Sequence, residues 1–202
     1  MSDALVIRHA HREPMPSELG ENAASDFDEN QVQISLEGFE STRKFGLSLL
    51  GKYDAIYHSP VLRCKQTAEQ LALSSGIPVV SELNFLSSKF FDQLLVANEI
   101  DKKNIVAEML DGSGIGYDKN HLFEKMHFLL RRFQNFSDFK GRVIYVTHDW
   151  WISLFLSFHT PLYRQIGYDI WPDFLQGFSL CHKDRQIIYR DARYSLPDAC
   201  SA

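Results

Sequence analysis

A short apolar run near the start of the chain ends in Arg8, His9, His11 and Arg12. An imidazole can act as the nucleophile of a covalent reaction. Guanidinium groups match the geometry of phosphate oxygens, to which they donate paired hydrogen bonds. These residue types at this spacing therefore predict a site that binds a phosphate group beside a nucleophilic histidine.

Two further polar clusters follow apolar runs elsewhere in the chain. The first is Ser59–Cys64, in which Arg63 occupies the first turn of a predicted helix. A cation is unfavourable there because of the helix dipole, unless an anion also binds. The second is Val146–Asp149, which contains His148. Open α/β sheets bind ligands at the carboxyl ends of their strands, so we expect the three clusters to surround one anion.

The apolar runs before these clusters predict the strands that must position them. The predicted strands are Ala4–Ile7, Ala55–Tyr57, Ile77–Val80 and Val143–Val146, and helix-like stretches cover 36–50, 61–73 and 150–158. Ser59 is a good N-cap residue and Pro60 suits the first helical position, which predicts a helix start there. Near the C-terminus, Gly177–Cys181 and Ile187–Tyr189 flank a polar stretch and predict a hairpin at the sheet edge.

Strands that alternate with helices favour a parallel sheet covered on both faces. The predicted fold is α/β: a three-layer α/β/α sandwich with a mostly parallel central sheet, an antiparallel edge hairpin and a small helical insertion. The insertion is the stretch 86–140, which is either a cap over the site or an ordinary pair of surface helices. We expect residues 1–202 to form a single domain, because this length suits one hydrophobic core.

The overall composition is ordinary for a globular protein, with 45% hydrophobic and 23% charged residues. A formal net charge of −5 disfavours broad binding to nucleic acid or to an anionic membrane. The three cysteines have no paired spacing and predict neither a disulfide framework nor a zinc site. The sequence contains no recognisable signal peptide and no apolar run long enough to span a bilayer, so we expect a cytoplasmic protein.

The three clusters together resemble the motifs of the histidine phosphatase superfamily, also called the phosphoglycerate-mutase-like fold. Arg8-His9-Ala10 resembles its Arg-His-Gly motif, and Ser59–Ala68 resembles its Ser-Pro-x-x-Arg-Cys-x-Gln-Thr-Ala stretch. His148 matches the histidine that ends a late strand of the family. Ala10 departs from the family glycine, which permits close approach of the backbone to phosphate. Alanine is tolerable at this position if its φ is negative.

Residues 8–14 also resemble the longer first motif of the acid phosphatase branch, Arg-His-Gly-x-Arg-x-Pro, except at Ala10. That branch places its proton donor in a His-Asp pair, which would be His148-Asp149 here. The mutase branch takes its acid from a Glu two residues beyond a Leu, a position that Phe85 occupies in this chain. The resemblance therefore implies a compact member with acid-phosphatase-like motifs and Asp149 as general acid. The reserve acids are Glu82 and Glu13.

The function that the resemblance implies is hydrolysis of a phosphomonoester without a metal ion or another cofactor. His9 would attack phosphorus and form a phosphohistidine, which splits one difficult displacement into two easier steps. The residues that would hold the phosphate oxygens and stabilise their charge are Arg8, Arg12, Arg63 and His148. Asp149 would protonate the departing oxygen and then help to deprotonate the attacking water. The expected partner is a small phosphorylated substrate or a phosphoprotein, not nucleic acid or a membrane.

Other interpretations of the same residues are open at the level of sequence. His9, His11, His148 and Asp149 could ligate the metal ion of a hydrolase, although the neighbouring arginines would repel it. A phosphate-recognising module with weak turnover would account for Ala10, and a phosphomutase would need a second basic cluster. Asp149 could serve only as a helix N-cap. The side chains expected near the site without a chemical role are His11, His58 and Cys64.

Overall fold

In the part of the chain that is described, strands and helices alternate up to the last helix, and three strands then follow one another. The computed structural model describes residues 3–15, 27–87, 119–134, 141–162 and 171–196. The strands are β1 (Asp3–Arg8), β2 (Ala55–His58), β3 (Val79–Glu82), β4 (Val143–Thr147), β5 (Gly177–Cys181), β6 (Gln186–Tyr189) and β7 (Ala192–Ser195). The helices are α1 (Leu36–Ser48), α2 (Leu62–Ser75), α3 (Lys119–Gln134) and α4 (Asp149–His159).

The seven strands form one sheet in the order β3-β2-β4-β1-β5-β6-β7. The first four strands in this order are parallel, and β5, β6 and β7 each pair antiparallel to the preceding strand. The predicted α/β fold with parallel core strands is therefore confirmed. The sheet edge is a meander of three strands instead of the predicted two-stranded hairpin, because β7 adds to β6.

Two apolar clusters cover the two faces of the sheet. On one face, Tyr57 and Tyr145 of the strands pack with Phe133 of α3 and, through it, with Phe155 of α4. On the other face, aliphatic strand residues pack with Leu71 of α2. Strand side chains point alternately to the two faces, so each helical layer buries one set of them. This packing fixes the carboxyl ends of β1, β2 and β4 side by side.

Two element boundaries differ from the sequence prediction. Helix α2 begins at Leu62 with Val61 as its N-cap, so the start predicted at Ser59-Pro60 is wrong by two residues. The Ser59 hydroxyl accepts from the Val61 N–H at 3.4 Å and also lies 3.2 Å from Nε2 of His148. Strand β3 lies two residues later than predicted, because α2 continues to Ser75 and ends at Gly76, which has a φ of 72°.

The stretch 86–140, predicted as a helical insertion, falls largely outside the described residues. Helix α3 lies within it and contributes Met126, Leu129 and Leu130 to the larger apolar cluster. This helix therefore forms part of a layer over the sheet. The remaining part of the predicted cap, residues 88–118 and 135–140, lies outside the described residues. Among the residues that are described, no helix is long and apolar enough to cross a bilayer.

Candidate active site

The first catalytic candidates lie where β1, β2 and β4 end together. The backbone N–H of His9 donates to the carbonyl of Thr147 at 2.9 Å, and that of Ser59 donates to the carbonyl of Val146 at 2.9 Å. These bonds continue the sheet ladder one residue past each strand. His9, Ser59 and His148 are therefore held at one edge of the sheet, as the sequence predicts for strand ends in a parallel sheet.

His9 is a buried imidazole with one reactive nitrogen. Its Nδ1 lies 2.8 Å from the carbonyl oxygen of Ala10, to which it donates, and its Nε2 accepts a hydrogen bond from Nε of Arg63 at 3.1 Å. The lone pair is thus on Nε2. Burial lowers the pKa of His9 well below its ordinary value, and the charges of His148 and Arg63 lower it further. The imidazole is therefore neutral at neutral pH and has a lone pair available for attack.

Arg63 connects the other groups of the site to His9. Its Nη1 donates to the carbonyl of Glu29 at 2.8 Å, and its Nη2 lies 3.4 Å from Nδ1 of His148. The guanidinium is 9% exposed, so its charge is poorly screened by water. It lies in the first turn of α2, as predicted, where the helix dipole adds to the positive potential.

His148 faces His9 across the site. The two ring centroids are 5.5 Å apart, and the rings are inclined by 68°. Because Arg63 donates towards Nδ1, Nε2 carries the proton and donates to Oγ of Ser59. Cys64 is fully buried beside this ring, with Sγ 3.6 Å from Nε2, and burial raises the pKa of its thiol to about 12. Cys64 is therefore a packing residue with no thiolate.

Arg8 and Asp149 form an ion pair next to this cluster. Nη2 of Arg8 lies 2.9 Å from Oδ2 of Asp149, and Nη1 donates to the carbonyl of Pro172 at 3.0 Å. Burial raises the pKa of Asp149, but Arg8, the Trp150 backbone N–H and the Trp171 side chain outweigh it and lower the pKa overall. Asp149 is thus a carboxylate in the resting site. Nε of Arg8 is a buried donor without a hydrogen-bond partner among the described residues.

The remaining predicted residues lie at different distances from this centre. Arg12 is within electrostatic reach, because its charge adds to the effect of burial in lowering the pKa of both Arg8 and Arg63. His11 is directed to the start of α1, where its Nδ1 lies 2.7 Å from Oγ of Ser35. Glu13 is exposed, and Glu82 is exposed at the end of the edge strand β3. His58 is buried on the interior strand β2, in register with Glu82.

The backbone around Ala10 is supported by a residue that the sequence analysis did not single out. The Ala10 N–H donates to Oγ1 of Thr67 at 3.0 Å. Thr67 belongs to the stretch that resembles the second family motif, so its place in that motif was the available signal. Ala10 is fully buried and is not among the residues with positive φ, so the alanine fits this position without backbone strain.

The segment before β5 also contributes to the site, and its sequence carried no signal for this. Trp171 bonds Asp149, the Pro172 carbonyl accepts from Arg8, and the Phe174 ring lies under the Arg8 guanidinium at 4.0 Å. The two contacts with Arg8 join positions more than 160 apart in sequence. Such pairs have no local periodicity or spacing by which to predict them.

A metal ion would need ligands that converge on one point. Within the described residues, no group of three or more His, Cys, Asp or Glu side chains is arranged to hold one. The metal-ligand interpretation requires His11 beside His9, but His11 binds the Ser35 hydroxyl instead. The side chains brought together at this edge are arginines and histidines, with the carboxylate of Asp149.

Part of the chain matches a known protein family. Residues 5–86 match the sequence model of the histidine phosphatase superfamily (branch 1). Over this part of its length, the chain is similar to the histidine phosphatase superfamily. The acid-phosphatase-like assignment of residues 8–14 is a finer statement that stays a prediction. No curated protein matches the chain.

Several solved structures share this histidine phosphatase fold at low sequence identity. A phosphoserine phosphatase mutant from Entamoeba histolytica, in complex with phosphoserine, has a TM-score of 0.57 and 16% identity, over 99% of this chain and 98% of that chain. A putative alpha-ribazole-5'-P phosphatase from Escherichia coli has a TM-score of 0.56 and 14% identity, over 98% and 97%. A phosphoglycerate mutase from Bacillus anthracis has a TM-score of 0.55 and 14% identity, over 97% and 91%. At these identities the likeness establishes the fold alone.

Proposed function

We propose that this protein is a phosphomonoester hydrolase that acts through a phosphohistidine on His9. The match of residues 5–86 to the histidine phosphatase superfamily supports phosphatase activity in general. The observation that carries the specific proposal is the buried, neutral His9, whose Nε2 lone pair lies 3.1 Å from a guanidinium N–H. A substrate phosphate that accepts from Arg63 in place of Nε2 would bring phosphorus next to the nucleophile.

The proposed reaction proceeds in two displacements at phosphorus. Nε2 attacks phosphorus, the new N–P bond forms as the ester P–O bond breaks, and the departing oxygen takes a proton. Water then gives a proton to the Asp149 carboxylate and attacks the phosphohistidine, the N–P bond breaks, and orthophosphate leaves with His9 and the acid restored. Each step is an in-line displacement whose developing charge lies on the phosphate oxygens.

The phosphate would be held by arginine side chains. Arg8, Arg12 and Arg63 lie within electrostatic reach of each other, and the carboxylates of Asp149, Asp173 and Glu29 also act on Arg8 or Arg63. The unpartnered Nε–H of Arg8 supplies a buried donor for a phosphate oxygen. His148 adds a further polar contact next to His9. Such a cluster stabilises a dianion in a site with little water.

Asp149 is the proposed general acid, and it must gain its proton when substrate binds. In the resting site its ion pair with Arg8 lowers its pKa. A phosphate dianion would compete for Arg8 and place negative charge beside the carboxylate, and both effects raise the pKa of an acid. The proton is therefore available at the moment when the leaving oxygen needs it. Glu82 and Glu13 are the reserve candidates.

The test is hydrolysis of p-nitrophenyl phosphate between pH 4 and pH 8, with and without EDTA. We expect EDTA-resistant turnover that is abolished by His9→Ala and retained by His182→Ala. His182 follows β5, near the amino end of β1, and is the matched control for loss of a histidine. Rapid quenching in alkali and mass spectrometry should find one phosphoryl group on His9.

The other outcomes identify the alternatives. Turnover that EDTA abolishes would indicate a metal-dependent hydrolase. Phosphate binding without turnover of any ester would indicate a phosphate-recognising module. Transfer of the phosphoryl group to a second hydroxyl compound, with little release of orthophosphate, would indicate a mutase.

A further inference from the structure

We propose that this enzyme selects phosphate monoesters with an aromatic leaving group, and that Phe174 recognises the aromatic ring. The inference rests on the proposed function, because it names the substrate class of the same site. It is carried by the contacts of one aromatic side chain with the nucleophile and with the phosphate-binding arginine.

Phe174 contacts three residues of the first polar cluster. Its ring centroid lies 5.8 Å from that of His9 and 4.9 Å from that of His11, which it meets edge to face. Cζ of Arg8 lies 4.0 Å from the ring centroid. The ring is only partly buried, so a portion of it faces outward beside the nucleophile.

The turn that carries Phe174 is fixed to the end of β1. The Arg8 N–H donates to the carbonyl of Gln176 at 2.8 Å, and the Leu175 N–H donates to the carbonyl of Arg8 at 3.2 Å. Leu175 has a φ of 61°, a left-handed conformation that is unfavourable for leucine and is tolerated where the surroundings enforce it. Its side chain packs against an apolar cluster. The Phe174 ring is thus presented by a rigid turn.

The direction of the reaction places the leaving group near this ring. In an in-line displacement, the leaving oxygen lies opposite Nε2 of His9 and next to the acid that protonates it. Asp149 is paired with Arg8, and the Arg8 guanidinium lies against Phe174. Trp171, which is also only partly buried, bonds Asp149 from the same segment. The leaving group therefore departs beside two aromatic side chains.

An aromatic leaving group gains most from such surroundings. Aromatic rings attract each other in stacked or edge-to-face geometry beyond the effect of buried area alone. A polyhydroxylated leaving group would find no hydrogen-bond partner on Phe174. Asp173, exposed next to Phe174, would repel a leaving group that carries a second phosphate or a carboxylate.

The experiment compares benzyl phosphate with cyclohexylmethyl phosphate. The two alcohols are similar in size and in leaving-group reactivity, and they differ in the aromatic ring. We expect kcat/KM of the wild-type protein to be higher for benzyl phosphate, and the ratio to fall about 3- to 10-fold in Phe174→Leu. Phe128→Leu changes a more exposed phenylalanine, on α3, and should leave the ratio unchanged.

Two results would overturn the inference. One is a wild-type ratio near one, and the other is an equal loss for both substrates in Phe174→Leu, which would mean that Phe174 only supports Arg8. Calorimetry with benzylphosphonate and cyclohexylmethylphosphonate compares their binding affinities and so measures the preference for the aromatic ring without turnover. Preferential binding of benzylphosphonate without hydrolysis of either ester would contradict the proposed function and support the aromatic recognition. Equal binding would contradict the recognition itself.

Discussion

The hydrogen bond from Nδ1 of His9 to the Ala10 carbonyl determines which ring nitrogen has the free lone pair. Donation from Nδ1 to Ala10 fixes the tautomer, and burial keeps the ring neutral. The sequence identifies His9 and the charged residues around it, because their types are specific and they follow an apolar run. It does not identify the Arg8–Asp149 ion pair, which depends on where the side chains of two separate strand ends meet.

Arg63 is expected to act through the planar geometry of its guanidinium as well as its charge. Arg63→Lys keeps the charge but removes the fork that reaches His9, Glu29 and His148 together. We expect kcat/KM for p-nitrophenyl phosphate to fall by about 100-fold or more. Lys65→Arg, an exposed position in the same helix, should change it less than threefold (~0.6 kcal/mol). Full activity of Arg63→Lys would show that charge alone suffices.

The role of Asp149 can be separated from its ion pair by the choice of leaving group. An alkoxide needs protonation as it departs, whereas p-nitrophenolate does not. Asp149→Asn should therefore lower kcat for benzyl phosphate by about 100-fold or more and affect p-nitrophenyl phosphate far less. With the wild-type protein, kcat for benzyl phosphate should rise as the pH falls below 7, because more of the bound enzyme carries the acid proton. If Glu82→Gln shows the selective loss instead, Glu82 is the general acid.

At the scale of elements, the parallel strands are predictable and the segments around them are less so. Strands β1, β2 and β4 are apolar runs buried on both faces, which sequence reveals directly. β7 is a polar edge strand with exposed side chains and no apolar pattern. Helix α2 starts two residues later than predicted, although Oγ of Ser59 accepts from the Val61 N–H at 3.4 Å; the same oxygen also contacts Nε2 of His148. A tertiary contact thus shares the hydroxyl that local propensity assigns to the helix start.

Helix α1 closely approaches the loop that follows β1 at Gly38. A Cβ at this position would overlap the carbonyl oxygen of His11, whereas one at Gly46 would overlap the Ser74 hydroxyl on α2. Gly38→Ala should destabilise the protein by about 1–3 kcal/mol in urea unfolding. It should also lower kcat/KM, because the loop that follows His9 must shift. Gly46→Ala is the control: stability should change while kcat/KM stays the same, and equal activity of both variants would refute the coupling.

At the scale of the whole molecule, His159 links stability to pH. His159 is the last residue of α4 and is buried against Met126 of α3. Its pKa is lowered to about 4, mainly by burial and in part by the charge of His127. In the unfolded chain, His159 takes up a proton near pH 6.5. In the folded protein, the same side chain is protonated only near pH 4. Stability from this residue is thus complete above pH 6.5 and is lost as the pH falls, by about 3 kcal/mol at pH 4.

The measurement is urea unfolding at pH 7, 5.5 and 4.5 for the wild-type protein and for His159→Gln. Glutamine keeps a donor for the Met126 carbonyl, which His159 contacts at 3.3 Å, and does not titrate. The wild-type free energy of unfolding should fall more steeply with acid than that of the variant. Parallel curves would assign the acid sensitivity to other groups, such as His9.

The burial of Cys64 has a consequence for the conditions in which the protein can work. A thiol with a pKa of about 12 forms almost no thiolate, and only thiolates react readily with peroxide or alkylating agents. Because the proposed nucleophile is an imidazole, the site needs no reductant to stay active. Treatment with iodoacetamide or hydrogen peroxide should therefore leave turnover intact. The proposed phosphatase activity would then persist under oxidising conditions that inactivate phosphatases with a catalytic cysteine.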